Sequence, residues 1–231
     1  HKAFVRKVES DYFTDAMTHV RVSVLEVAKS VELGEFLAGR GDVSVVEKVV
    51  GYKKIKYHSH ENVGYGEVNL PEMQMHTTAF WLTVPEHVVE RQSVERAVVL
   101  DAMRGIANAL RTVASIGLMA DRGDLGHTLG DKSEQGGVPH KTVGGAPGFD
   151  PTIFLYDRIP GGVGLAPRLF VVREELVRRA YALIQGCDCA EGCPACVGPA
   201  AGTPEEQPVL TVSRRQVALA LLGSLGVEKT H

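Results

Sequence analysis

The chain of 231 residues has few cysteines, few aromatic residues and no excess of charge of either sign. Its 25 Lys and Arg residues against 28 Asp and Glu residues give a net charge of −3, which excludes a wholly basic nucleic-acid coat protein. Apolar residues make up 44% and charged residues 23%, so collagen, low complexity and wholesale disorder are excluded as well. A chain of this length buries enough surface to fold in outline without disulfides or metals.

Long hydrophobic runs are also missing. No stretch approaches the ~18 apolar residues that a membrane-spanning helix needs, and residues 217–222 form the most apolar short run. The first seven residues contain neither the apolar segment of a signal peptide nor an initiator Met. We therefore expect no membrane partner, a cytoplasmic location, and a fragment of a longer protein.

All four cysteines lie within ten residues, and they are Cys187, Cys189, Cys193 and Cys196. Disulfides between them would close loops of only a few residues, which stabilise little and strain easily. Four thiolates on one short loop match a tetrahedral Zn²⁺ site with no open position, which is the arrangement of a structural metal. The pattern favours one structural Zn²⁺ per chain. An iron–sulfur cluster and redox-active cysteines are the alternatives.

The hydrophobic periodicity changes along the chain. Residues 20–25, 43–55 and 77–84 alternate or are rich in β-branched residues, which predicts strands in the first part. Helical spacing follows from residue 90 to about Met119, and it returns from Ala166 to the cysteines. We therefore expect an α+β fold, with a strand-rich N-terminal half packed on a helical half that carries the four-cysteine zinc loop. The predicted subdomains are residues 1–88 and 89–231.

Three further segments complete this assignment. Residues 121–150 are rich in Gly, Pro and polar residues and are expected to form a long loop. The apolar residues 152–156 are expected to form a buried strand. Ser213 and Gln216 have the spacing of a capping box for a last helix, residues 214–222.

A glycine-rich turn, residues 157–164, separates the buried strand from the second helix. Backbone N–H groups in such a turn can meet a phosphate, which makes Arg158, Gly161 and Gly162 candidate nucleic-acid contacts. The turn is not a nucleotide-binding P-loop, because no Gly-Lys-Ser/Thr follows. The alternative is tight packing of the turn against the zinc loop, with Asp157 capping it.

A second candidate nucleic-acid surface combines lysines with an aromatic residue. Lysine side chains can meet phosphates while bases stack on tyrosine, which suits single-stranded nucleic acid. The alternative is an ordinary solvated face of a sheet. The residues concerned are Lys53, Lys54, Lys56 and Tyr57.

Asp121, Asp124 and His127 have the spacing of a hydrolytic metal cluster. No second acidic pair accompanies them. The favoured interpretation is a solvated turn in which an Asp side chain accepts hydrogen bonds from backbone N–H groups.

Two blocks together resemble the C-terminal zinc-binding (MZB) domain of MrfA-type DEAD/DEAH-box helicases. They are Tyr156-Asp157-x-x-Pro160-Gly161-Gly162-x-Gly164 and Cys187-x-Cys189-x-x-Gly192-Cys193-Pro194-x-Cys196. A third block, Leu118-Met-Ala-Asp121-x-x-Asp124-Leu-Gly126, is also similar to that family. Ala120 stands where family members often have Cys, which suggests that a thiol there is not a zinc ligand.

The resemblance implies that the chain is the tail of a superfamily 2, ATP-dependent DNA helicase that acts in DNA repair. ATP and Mg²⁺ would bind only in the missing upstream motor domains, because this sequence contains neither ATPase motif. The expected partners are those motor domains and single-stranded DNA, bound with little sequence preference. The expected function is a non-catalytic accessory domain that holds or guides DNA beside the motor.

Two other functions stay open at this stage. An architectural or protein-interaction module would brace the motor without any DNA contact. A free-standing metal-dependent hydrolase would use Asp121, Asp124, His127 and Asp157, and it requires carboxylates that converge on a shared metal.

Overall fold

The computed structural model describes residues 4–7, 9–59, 61–130, 138–141, 147–190, 192–198 and 212–226. The chain divides into two compact units. Unit 1 is His1–Val20 with Val46–Gln74, and unit 2 is Arg21–Val45 with Met75–His231. The division at residues 88 and 89 stays a prediction.

Two long strands, β1 (Tyr12–Leu33) and β2 (Phe36–Lys56), run through both units. A two-residue turn joins them, and Gly34 in that turn has a φ of +55°, which glycine adopts at little cost. In unit 1, β3 (Asn62–Glu67) pairs antiparallel with β2, with Lys53 opposite Tyr65. The next strand along the chain is β4 (Met73–Thr83). The strands expected from the alternating pattern are present and extend beyond it.

The sheet of unit 2 has the strand order β1-β2-β4-β8-β5, in which β5 is Leu125–Gly130 and β8 is Thr152–Asp157. Strand β8 is buried along its whole length and pairs antiparallel with both neighbours. This confirms the buried strand expected from its continuous apolar run. A separate two-stranded ladder joins β6 (Val138–Lys141) and β7 (Pro147–Asp150).

The long loop expected over residues 121–150 is wrong in part, because β5, β6 and β7 lie inside it and β5 forms an edge of the sheet. Gly126 made the segment resemble a loop, but packing requires a glycine there. A Cβ at Gly126 would lie 2.2 Å from the ring of Tyr156 on the neighbouring strand. Glycine within a strand often marks such a close approach.

Five helices accompany the strands in the described residues, and α2 is central to the core. Eleven of its residues between Val98 and Leu118 are apolar or glycine and buried, with the helical spacing that the sequence predicts. The second helix expected from Ala166 is divided at Val172 into two helices. The bounds are α1 Glu86–Glu90, α2 Arg96–Leu118, α3 Leu165–Val171, α4 Arg173–Gln185 and α5 Arg214–Gly223.

The α+β fold class is confirmed, with strands first, helices after them, and the cysteines at the end of α4. In unit 2, helix α2 contacts α4, α5 and β5, and the same apolar cluster includes Cys196 and Val197. The zinc loop is thus continuous with the hydrophobic core. Among the described residues, no helix is long and apolar enough to cross a membrane.

Candidate metal centre and nucleic-acid surfaces

The four cysteine sulfurs converge on one point after the end of α4. All four Sγ atoms lie within 4.8 Å of one another. The Sγ–Sγ distances are 3.6 Å for Cys187–Cys193, 3.4 Å for Cys189–Cys196 and 3.7 Å for Cys193–Cys196. A tetrahedral zinc with Zn–S bonds of about 2.3 Å requires S–S separations of about 3.8 Å. The donor set therefore fits Zn²⁺ in kind, number and spacing.

The electrostatics of the loop also favour a bound cation. Hydrogen bonds from the backbone N–H groups of Ala195 and Cys196 lower the pKa of Cys193 to about 7, which favours its thiolate. Hydrogen bonds with Cys187 and Cys196 raise the pKa of Cys189 to about 12. Four thiolates this close repel one another, so a divalent cation is needed to hold all of them deprotonated.

Small residues let the loop fold tightly against α2. Gly192 has a φ of +126°, and a Cβ there would lie 2.3 Å from Cγ2 of Val197. A Cβ at Gly105 on α2 would lie 2.8 Å from Cβ of Val197. Cys196 and Val197 are fully buried. Glycines on both sides therefore allow the loop to approach the helix closely.

Sequence reasoning missed three polar side chains that hold the loop. Asn108 on α2 donates to the carbonyl of Cys196 at 2.8 Å, and Arg214 on α5 donates to that of Gly198 at 3.0 Å. Arg215 donates to the carbonyls of Ile184 and Gln185, the last of α4, at 2.9 and 2.8 Å. These carbonyls have no partner within the helix, so an arginine at this end satisfies them.

A buried ion pair anchors α5 to α2. Nε of Arg214 lies 3.0 Å from a carboxylate oxygen of Asp101, and the arginine is 5% exposed. Burial lowers the pKa of Arg214, whereas the charge of Asp101 raises it. The expected capping box is wrong, because Ser213 makes no cap hydrogen bond and donates to the carbonyl of Ala190 at 3.3 Å. One feature of the sequence could have indicated this ion pair. Arg214 and Arg215 begin a helix with no acidic residue next to them, so a partner for either has to come from another part of the chain.

The glycine-rich turn is built on a buried carboxylate. Oδ2 of Asp157 accepts hydrogen bonds from the hydroxyl of Thr78 at 2.8 Å and from the N–H of Val163 at 3.1 Å. Gly161 donates its N–H to the carbonyl of His76 at 2.8 Å. Asp157 caps the turn, as the alternative interpretation required. The turn is bonded to β4 and also to the segment before β5, where the N–H of Arg158 donates to the carbonyl of Asp124 at 2.9 Å.

We predict that Gly162→Ala destabilises the fold more than Gly161→Ala. Both glycines have positive φ, so alanine costs about 1–2 kcal/mol of backbone strain at either position. A Cβ at Gly162 would also lie 2.5 Å from Oγ1 of Thr78 and 2.9 Å from Oδ2 of Asp157. At Gly161 it would meet nothing within 4 Å. Urea unfolding of the two variants measures the difference, and equal losses of stability would contradict the prediction.

The structure gives no support to a hydrolytic cluster at residues 121–127. Oδ1 of Asp121 accepts the N–H of Gly123 at 2.6 Å, which confirms the interpretation of a turn closed by an Asp side chain. His127 lies in β5, and Asp157 serves the glycine-rich turn. Within the part of the chain that the structure describes, the four cysteines form the one group with the geometry of a metal site.

The candidate surface around Lys53 is divided between two faces of the sheet. Neighbouring strand residues point to opposite faces, so Lys53 and Lys54 are on different sides. Lys54 lies over the ring of Tyr12, with its Nζ 5.4 Å from the ring centroid, and Lys53 is opposite Tyr65. Nζ of Lys56 lies 3.4 Å from a carboxylate oxygen of Glu61.

Tyr57, the aromatic residue of that candidate surface, lies on the same face of the sheet as Lys53. The ring of Tyr57 contacts the ring of Phe13, at 5.6 Å between centroids. Phe13 follows Tyr12 in β1 and therefore points to the face opposite Lys54. Tyr57 and Tyr65 are each 52% exposed. We call Lys53, Tyr57 and Tyr65 the lysine–tyrosine face.

The zinc loop, the glycine-rich turn and the helix that joins them to the core define the class of this protein. Residues 106–197 match the model of the MZB family, described as the MrfA Zn-binding domain. Residues 106–197 therefore form an MZB domain, which carries one structural zinc site.

Two of the relatives of this chain are named as helicases. Over 197 residues the chain is 36% identical to the "Uncharacterized ATP-dependent helicase YprA" of Bacillus subtilis, covering 85% of the chain and 24% of that protein. Over 221 residues it is 22% identical to ATP-dependent helicase HRQ1 of Saccharomyces cerevisiae, covering 94% of the chain and 20% of that protein. The chain thus spans about a quarter or less of each.

Solved structures give the same family. The chain is similar to the DUF1998 helicase MrfA in its crystal structure bound to DNA, with a TM-score of 0.61 and 31% identity over 95% of the chain and 26% of MrfA. The crystal structure of MrfA described without DNA gives a TM-score of 0.51 and 30% identity, covering 79% of the chain and 22% of MrfA. The fold is therefore similar to that of about a quarter of MrfA.

Proposed function

We propose that the chain is the zinc-binding accessory part of a superfamily 2, ATP-dependent DNA helicase that acts in DNA repair in the cytoplasm. The observation that carries this proposal is the similarity of nearly the whole chain to MrfA, whose structure was solved with bound DNA. The motor domains, with ATP and Mg²⁺, are then partners outside these residues. The chain itself holds or guides single-stranded DNA with little sequence preference.

In this proposal the zinc is structural and takes part in no catalytic step. Four cysteine ligands complete its coordination, so it supplies rigidity to the loop. The contacts of Asn108 and Arg214 transfer that rigidity to α2 and α5. The domain thereby offers the motor a fixed body on which DNA contacts can be arranged.

The lysine–tyrosine face is the best candidate for the DNA contact. Its two tyrosines are half exposed and can stack bases, while the ammonium of Lys53 can meet a phosphate. Lys54 and Lys56 are already engaged with Tyr12 and Glu61. At the other candidate site, Arg158 and Gly161 are exposed on the glycine-rich turn, and the N–H of Gly161 is already donated to His76.

Lys53→Gln is expected to weaken binding of the chain to fluorescein-labelled oligo-dT several-fold at ~0.1 M salt, where charges act over about 10 Å. The slope of the logarithm of the binding constant against the logarithm of the salt concentration should become shallower by about 0.7, because one phosphate contact is lost. Tyr65→Ala should cost about 1–3 kcal/mol of binding free energy through lost stacking. Fluorescence anisotropy over a salt series measures both effects.

Lys48→Gln is the matched control, since it removes the same charge from the same strand of unit 1. Its ammonium lies 3.7 Å from Glu72, and alternation along β2 puts Lys48 and Lys53, five residues apart, on opposite faces. If Lys48→Gln weakens binding as much as Lys53→Gln does, net charge alone explains the effect. If neither Lys53→Gln nor Tyr65→Ala changes binding, this face is not the DNA contact.

A protein-interaction module is the second candidate function, and one feature of unit 2 favours it. An apolar groove of about 460 Å³ lies between α2 and the helices α3 and α4. Beside it Met119 and Val171 are 91% and 76% exposed. Such a groove suits contact with another protein surface. Failure of the wild-type chain to bind oligo-dT would leave this function as the better one.

A further inference from the structure

Positive side chains gather around His127 at the edge strand β5. Arg104 and Arg111 lie on one face of α2, seven residues apart, which is nearly two helical turns. Arg122 lies in the turn before β5, and His127 lies within β5. We call Arg104, Arg111, Arg122 and His127 the arginine–histidine cluster. None of its members appeared among the sequence-based DNA contacts.

Arg111 is the structural member of the cluster. Its Nε donates to the carbonyl of Leu125 at 2.9 Å, and its Nη2 donates to the carbonyl of Arg122. These bonds hold β5, and the turn that contains Arg122, against α2. Burial lowers the pKa of Arg111 first, and the charges of Arg122 and Arg158 lower it further.

The charges of the cluster are not neutralised by carboxylates within the described residues. Arg104, Arg111 and Arg122 take part in none of the ion pairs found there, whereas other arginines of unit 2 do. Those pairs are Arg91–Glu35, Arg96–Glu86, Arg173–Glu174, Arg178–Glu175, Arg179–Glu175 and Arg214–Asp101. Positive charge concentrated in this way favours an external anion.

The pKa of His127 indicates that the electrostatic environment of its ring is positive. Burial, followed by the charges of Arg111 and Arg122, lowers its pKa to about 4. A carboxylate close to the ring would act in the opposite direction, by stabilising the imidazolium. The side chain of Asp121 in the preceding turn is engaged with the N–H of Gly123. At neutral pH His127 is therefore an uncharged hydrogen-bonding group in a positive environment.

A cavity of about 230 Å³ opens at this place. It is several times larger than the ~30 Å³ that one water molecule occupies in the liquid. Its lining combines the guanidinium of Arg104 and the imidazole of His127 with a strand backbone. The residues are Arg104, Ala107, His127, Thr128 and Leu129.

We propose that Arg104 and His127, which line this cavity, form a phosphate-binding site whose ligand is a phosphodiester of the nucleic-acid backbone. The charge of Arg122 assists this site without lining the cavity, and the assignment rests on the proposed function. Guanidinium groups bind phosphate oxygens with paired N–H donors, and the neutral imidazole adds a further donor. A phosphate in this cavity compensates the positive charges that the protein leaves unpaired. The site belongs to unit 2 and is separate in sequence and in unit from the lysine–tyrosine face.

The first test compares Arg104→Gln, Arg122→Gln and Arg178→Gln in oligo-dT binding by the 231-residue chain. Arg104→Gln and Arg122→Gln should each weaken binding several-fold at ~0.1 M salt and lower the log–log salt slope by about 0.7. Arg178→Gln is the matched control, because it removes one equal charge from unit 2 but from a guanidinium bound to Glu175. Equal effects of all three substitutions would overturn the proposal.

The second test observes the site itself by NMR titration of the His127 ring. The chain has nine histidines, so His127→Gln serves to assign the resonance. A phosphate bound beside the ring should raise the His127 pKa by about one unit, since an opposite charge favours the imidazolium. Oligo-dT should produce this rise in the wild type and not in Arg104→Gln. An oligo-dT whose backbone consists of neutral methylphosphonates should not produce it.

A third titration, with inorganic phosphate, distinguishes failure of this phosphate site from failure of the proposed function. If inorganic phosphate raises the His127 pKa while oligo-dT neither binds nor shifts it, the anion site stands but its nucleic-acid ligand and the proposed function fail. If oligo-dT binds through the lysine–tyrosine face and neither probe shifts His127, the proposed function stands and the phosphate site is overturned.

Discussion

Cys193→Ser is expected to remove the metal from the protein. Wild-type chain purified under reducing conditions should contain one Zn²⁺ per chain by elemental analysis, and the variant should contain close to none. A serine hydroxyl keeps its proton at neutral pH, so it does not replace the thiolate that the backbone N–H groups of Ala195 and Cys196 stabilise. Because zinc binding contributes to the free energy of folding, the melting temperature should fall by about 10 °C.

Ala195→Ser is the matched control for the loop. It places a serine at an exposed position between two ligands and leaves every sulfur in place. This variant should keep its zinc and its melting temperature. The strands of the Cys193→Ser variant should survive, because most of the core lies outside the zinc loop. Wild-type chain without zinc, or a Cys193→Ser variant with a full complement of it, would contradict the assignment.

Asp101→Ala should destabilise the chain by about 3 kcal/mol, because it leaves the guanidinium of Arg214 buried without its counter-charge. For a chain of this size the melting temperature should fall by roughly 6–12 °C. The loosened Arg214 also holds the carbonyl of Gly198 at the end of the zinc loop. Zinc transfer to a chelator should therefore be faster than in the wild type. Thermal unfolding and a chelator assay measure the two effects.

Two further variants separate the buried pair from ion pairs in general. Glu175→Ala breaks the exposed pairs with Arg178 and Arg179 on α4 and should change the melting temperature little. Adding Arg214→Met to Asp101→Ala should restore part of the lost stability, since an apolar side chain of similar length does not need a buried counter-ion. A double variant less stable than Asp101→Ala would show that the lost hydrogen bonds matter more than the charge.

The spacing of apolar residues and of cysteines along the sequence was sufficient to predict the fold class and the zinc site. Helical spacing over α2 and the continuous apolar run of β8 report how each segment buries its own side chains, and burial in these elements follows that spacing. The four cysteines are close in sequence, so their convergence needs only a tight turn. That is why the zinc site could be predicted before any tertiary contact was known.

The sequence led to a wrong prediction where a glycine is required by packing and not by a turn. Gly126 made residues 121–150 resemble a loop, because a glycine in a strand carries no apolar signal. The ring of Tyr156 on the adjacent strand occupies the space a side chain would need. Only the pairing of β5 with β8 reveals this reason. The same limit applied to Lys53 and Lys54, which are neighbours in sequence but lie on opposite faces of a strand.

The sequence by itself determined the fold class, the main helical and strand segments and the cysteine donors of the zinc site, because these depend on residues a few positions apart. Only the tertiary structure decided which polar groups meet. Arg214 reaches Asp101 across 113 residues, and Thr78 reaches Asp157 across 79. Arg104 and His127 line one cavity although a turn and most of a helix separate them in the chain. Side chains from separate elements meet only after the core has packed and set the distances between those elements, and periodicity within one element contains no information about those distances.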